Sequence, residues 1–92
     1  MDGPILAEVE VPGPAGIHAR PCHAIVSVVA RFEAEVKLIS SERSADAKSV
    51  LALMTLGAMP GETVLLEAQG KEAKEVLAAL KTMFREGFEQ NS

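Results

Sequence analysis

Residues 5–32, "ILAEVEVPGPAGIHARPCHAIVSVVARF", change their hydrophobic period once, and the change decides the fold. In "ILAEVEV" (5–11), Ile5, Ala7, Val9 and Val11 share one face while Leu6, Glu8 and Glu10 take the other, the period-2 pattern of a half-buried strand. Pro12, Gly13, Pro14 and Gly16 break that strand. From Ala19 to Phe32 the period becomes helical, with Cys22, Ile25, Val26, Val29 and Phe32 on one side and Val28 at its margin. His18 stands at the handover.

The same two periods recur downstream. "EAEVKLISS" (33–41) alternates, with Val36 and Leu38 on a common face, and a short strand at "RSAD" (43–46) can return beside it as a hairpin. "AKSVLALMTLGAMPG" (47–61) reads as a short helix that starts near Ser49 and closes at Gly57. "ETVLLEA" (62–68) is a last strand with Val64, Leu66 and Ala68 pointing one way. "KEAKEVLAALKTMFREGF" (71–88) is a long amphipathic helix carrying Ala73, Val76, Leu77, Leu80, Met83 and Phe84. The order is β-α-β-β-α-β-α. Each helix has one apolar stripe and each strand one apolar face. The expected fold is therefore α+β, a four-stranded, mostly antiparallel sheet with three helices on one face.

Composition narrows the function. Ninety-two residues suit a single domain over 1–92. With no Trp or Tyr and three Phe, the core must be aliphatic. A net charge of -4 disfavours nucleic acid, whose phosphates need a basic face. No apolar run approaches the roughly 18 residues of a spanning helix. "MDGPILAEVEV" lacks the basic and apolar regions of a signal peptide. One cysteine, Cys22, excludes an internal disulfide and suits a reducing compartment. The expectation is a cytoplasmic protein with no membrane insertion.

The chemistry gathers at His18. At or beside a helix N-cap, backbone N–H groups lack intrahelical partners and the helix dipole presents partial positive charge, so an anion is favoured there. Arg20 adds a forked donor matched to phosphate oxygens. Imidazoles titrate near neutrality, so a neutral nucleophilic ring can form at cellular pH. Gly13 and Gly16 keep the approach open, and Pro21 costs little in a first helical turn. Two plainer readings stand beside this one. His18 can serve only as a cap or a solvated side chain. It can also join Cys22 and His23 around a metal, but His23 points elsewhere and no carboxylate completes the set. No metal or other cofactor is expected.

The stretch "GIHARP" (16–21) resembles the active-site loop of HPr, the histidine-containing phosphocarrier of the bacterial phosphoenolpyruvate:sugar phosphotransferase system. "KSVLALMTLGAMPGETV" (48–64) resembles a second pattern of that family: Lys-Ser, an apolar helix, Leu-Gly and a glycine loop. The likeness runs without gaps from about Val9 to Glu86. It implies an open-faced β-sandwich and a carrier in a phosphotransfer chain rather than an independent enzyme. By this resemblance His18 takes phosphate on Nδ1 from enzyme I and passes it to a sugar-specific enzyme IIA, while Arg20 stabilises it. Ser49 matches the serine that HPr kinase/phosphorylase modifies in part of the family. Unmodified, a serine there is a good N-cap. Val50, Leu51 and Met54 match an apolar docking patch, with Leu51 and Met54 expected to be partly exposed. A monomer is expected. The alternative is a regulatory module of the same fold, kinase-controlled or in a nitrogen-related branch, that works mainly by docking.

Cys22 and His23 depart from the family pattern, which has small residues there. A thiol near a helix N-terminus can be acidified, but packing in the core is the preferred reading of Cys22. Ser27 and Val28 stand where lysines are frequent in the family, which leaves the partners' identity open.

Overall fold

A computed structural model describes residues 3–13 and 18–88. Gly16, one of the glycines read as keeping the approach to His18 open, lies outside the described residues. The elements run β1 (Ile5–Glu10), α1 (Ala19–Val29), β2 (Glu35–Ser40), β3 (Arg43–Asp46), α2 (Val50–Leu56), β4 (Thr63–Gln69) and α3 (Ala73–Arg85). The four strands form one antiparallel sheet in the order β1-β4-β2-β3. The last strand therefore enters between the first two, pairing Val9 with Val64 on one side and Leu38 with Leu66 on the other.

Side-chain alternation puts Val9, Val36, Leu38, Ala45, Val64, Leu66 and Ala68 on the inner face of the sheet. Cys22, Ile25 and Val29 of α1, Leu53 and Leu56 of α2, and Val76, Leu77, Leu80 and Phe84 of α3 cover that face. The opposite face of the sheet is open, so the molecule is an open-faced β-sandwich.

The elements end where local bonding changes. Helix α1 stops at Val29, three residues before the apolar period runs out. Arg31 and Phe32 donate instead to the carbonyls of Val28 and Val29 (3.0 and 3.1 Å), three residues back rather than four. Helix α2 is bounded as its sequence suggests, by Ser49 at the N-cap and by Gly57 at φ 66. Strand β1 is extended by a bond from Val11 N–H to the Glu62 carbonyl at 2.9 Å.

Two local features hold connections in place. The Glu33 N–H donates to the Glu72 carboxylate (2.8 Å) and the Glu72 N–H to the Glu33 carbonyl (2.9 Å), tying the α1–β2 loop to the start of α3. Gly70 packs against the same loop at φ +127, where a Cβ would sit 3.0 Å from both Ala34 Cα and the Glu33 carbonyl oxygen. Gly70→Ala combines a conformation reserved for glycine with a backbone clash. It should destabilise the protein by about 2 kcal/mol or more, read as a lower urea midpoint with an unchanged slope.

Ser40 is a fully buried polar side chain, and its hydroxyl donates to the Glu62 carboxylate. The Met59 N–H donates to the other Glu62 oxygen at 2.8 Å. The Met59 bond first, then the Ser40 bond and the nearby Arg43 charge, hold the Glu62 carboxyl below its ordinary value of 4.5, against a smaller opposing effect of burial. A carboxylate with a lowered native pKa contributes stability that is complete above the unfolded value and is lost as pH falls through the native value. Acid titrations of stability should thus be flatter below about pH 4.5 in Glu62→Gln than in the parent protein.

Candidate functional site

His18 is the N-cap of α1, with extended backbone (φ −123, ψ −164) and an exposed side chain that makes no capping hydrogen bond. The ring is therefore not spent on its own helix. Its carbonyl accepts from the Cys22 N–H at 3.0 Å, closing the first helical bond. Helical geometry leaves the amides of the first turn without intrahelical partners. Pro21 has no N–H to offer, so those of Ala19 and Arg20 are the donors available beside His18. No acidic residue occupies the first turn to offset the positive end of the dipole. Arg20 is exposed one residue beyond Ala19.

What holds this end in place lies underneath. Pro21, Cys22 and Ile25 are buried, with Cys22 and Ile25 wholly in the core. Anchoring one side of the first turn leaves His18, Ala19, Arg20 and His23 on the outside. Burial pushes the Cys22 thiol above its ordinary range, so its role is packing. A metal shared by His18, Cys22 and His23 does not fit this geometry, since the thiol is buried and both imidazoles are exposed.

Helix α2 packs beside α1. Ser49 caps it, its hydroxyl accepting from the Ala52 N–H at 3.1 Å and its carbonyl from the Leu53 N–H at 3.1 Å. Asp46, not singled out in the sequence, prepares this turn: its side chain accepts from the Lys48 N–H (2.9 Å) and its carbonyl from the Ser49 N–H (3.0 Å). An aspartate three residues before a helix N-cap is the available signal for such a turn. Leu51 is 74% exposed and Met54 45%, Val50 is half-buried, and Met59 in the following loop is 64% exposed, a member of this surface missed from sequence. Among the described residues no hydrogen bond joins Ser49 to His18 or Arg20.

An exposed N-cap histidine, an arginine in the same turn and an open-faced sandwich form the arrangement that the resemblance to phosphocarriers implies. A family model described as the PTS HPr component phosphorylation site matches residues 5–86, and the chain belongs to the HPr family of phosphocarriers of the phosphotransferase system. It is 37% identical over 84 residues to phosphocarrier protein NPr of Escherichia coli K12, covering 90% of this chain and 93% of that one. It is likewise 37% identical over 73 residues to phosphocarrier protein HPr of Vibrio cholerae, covering 79% and 86%. The crystal structure of a Thermoanaerobacter tengcongensis HPr superposes with a TM-score of 0.87 at 26% identity, covering 96% of this chain and 99% of the other. No helix among the described residues is long and apolar enough to cross a membrane.

Ser49→Ala removes one capping bond and exposes none of the core. It should cost about 1 kcal/mol, measured by urea denaturation, with α2 amides exchanging faster than those of the sheet.

Proposed function

We propose that His18 is the phosphoryl carrier, taking the group from phosphorylated enzyme I and passing it to an enzyme IIA. The observation that carries this reading is the exposed imidazole at the N-cap of α1, free of any capping bond. In the forward step the His18 Nδ1 lone pair attacks phosphorus and the bond from phosphorus to the donor's phosphorylated side chain breaks. That side chain keeps the electron pair of the broken bond. The phosphoryl oxygens then face the Ala19 and Arg20 amides and the Arg20 guanidinium, which stabilise their charge without forming a covalent bond. Transfer to the acceptor reverses these roles. Val50, Leu51 and Met54 supply apolar contact to partners beside the reacting group, and neither α1 nor α2 carries a carboxylate to repel acidic partners.

Ser49 is the regulatory position in this reading, modified by an HPr kinase/phosphorylase. Phosphate there would sit at the favourable end of α2, whose first turn holds no acidic residue, so the helix survives. Its effect is to place negative charge on the docking surface. A second reading, service in a nitrogen-related regulatory branch, is favoured by the likeness to NPr. Parallel assays with enzyme I and enzyme IIA proteins of the sugar and nitrogen branches separate the two by which pair transfers faster.

Incubation with enzyme I and labelled phosphoenolpyruvate should give one acid-labile, base-stable label per chain, absent in His18→Ala. Arg20→Ala should slow labelling about tenfold to a hundredfold, the rate equivalent of a charged hydrogen bond of about 1.5–3 kcal/mol. Stoichiometric labelling of His18→Ala would overturn the assignment.

A further inference from the structure

The open face of the sheet departs from the solvated, polar surface that an uncovered antiparallel sheet ordinarily presents. Its cross-strand rows are Leu6–Glu67–Lys37–Asp46 and Glu8–Leu65–Ile39–Ser44, flanked by the pairs Glu10–Thr63 and Glu35–Gln69. Leu65 and Ile39 are directly opposed on the two central strands, and Leu6 lies diagonally across from Leu65, within reach of a long side chain. Leu6 is 59% exposed, and Ile39 and Leu65 are half-buried with no element packed over them. This is a continuous apolar stripe, not a scattered exposed leucine.

Carboxylates frame the stripe. Glu8, Glu10, Glu35, Glu67 and Asp46 share this face with one lysine, Lys37, while Lys48 reaches only Glu35, at 3.4 Å. Glu8, Glu10 and Glu67 make no ion pair among the described residues. Glu8 and Glu67 are diagonal neighbours across β1 and β4, and Lys37, directly opposite Glu67 on β2, is the one lysine in these rows, so the face keeps a net negative charge. An apolar centre with a charged rim is the anatomy of a protein interface. The rim sets the sign of its partner, and the carboxylate-free helices α1 and α2 on the other side of the molecule do not compete for it.

We propose that the open sheet face is a second docking surface, for a basic amphipathic protein segment that lays apolar side chains on Leu6, Leu65 and Ile39 and lysines or arginines against Glu8, Glu10 and Glu67. It lies across the sheet from His18, so its occupant leaves the carrier site uncovered.

The test is a nuclear magnetic resonance titration of the full isotope-labelled chain with a synthetic helical peptide of leucine and lysine, leucines on one face. Saturable shifts centred on the amides of Leu6, Glu8, Ile39, Leu65 and Glu67, weakening as salt is raised, are expected. The charge reversal Glu8→Lys with Glu67→Lys should weaken binding tenfold or more. Glu75→Lys with Glu86→Lys, the same charge change on and just after α3, should weaken it less than threefold. Should the first variant lose its dispersed spectrum, Glu8→Gln with Glu67→Gln replaces it, with a severalfold loss expected. Shifts centred on α1 and α2, equal losses from both reversals, or no saturable binding would overturn the proposal. So would concentration-dependent shifts of the sheet face without peptide, which would assign the surface to a second copy of this chain.

Discussion

Strand β4 holds the molecule together because it is hydrogen-bonded on both edges, to β1 and to β2, and presents Val64, Leu66 and Ala68 to the helices without a gap. It is formed late in the chain yet lies between strands formed early. The β1–α1 and β2–β3 segments therefore gain a common surface only when it arrives. That single insertion makes the sheet antiparallel throughout and leaves β1 and β3 as its edges. Helix α1 can then rest on a continuous apolar floor, and its first turn is pinned at Pro21, Cys22 and Ile25.

From that pinning comes the chemistry. A helix start buried on one side and bare on the other presents two open amides and an imidazole to solvent while its axis stays fixed. Phosphoryl carriers have little covalent work beyond the exchange itself, so a positioned ring and a positively polarised cradle are most of what is needed. The fold also separates charge. The helices α1 and α2 carry no carboxylate, whereas the open sheet face is crowded with them. A protein of net charge -4 thus offers a surface that acidic partners can approach.

Much of this was legible in the chain itself. The switch from period 2 to period 3.6 located β1 and α1, and the Ser49 and Gly57 boundaries of α2 followed from capping chemistry. "GIHARP" marked the histidine proposed as the carrier before any geometry was known. Periodicity overran α1 to Phe32 because the residues past Val29 stay apolar while their bonding tightens to three-residue turns. Ser40 escaped notice because its partner, Glu62, is a neighbour only across the folded sheet. Met59 belongs to the exposed apolar surface through a loop conformation that no period describes.

The element order, the inward faces of β1, β2 and β4 and the placing of a histidine at a helix start follow from the sequence alone. These depend on contacts between near neighbours and on alternation along one segment. Only the tertiary structure decided that β4 sits between β1 and β2, that Cys22 is a core residue with a raised pKa rather than a reactive thiol, and that Leu65 and Ile39 meet on an uncovered face. Each of these depends on which distant segment lies alongside, and burial, desolvation and cross-strand pairing exist only once that segment is in place.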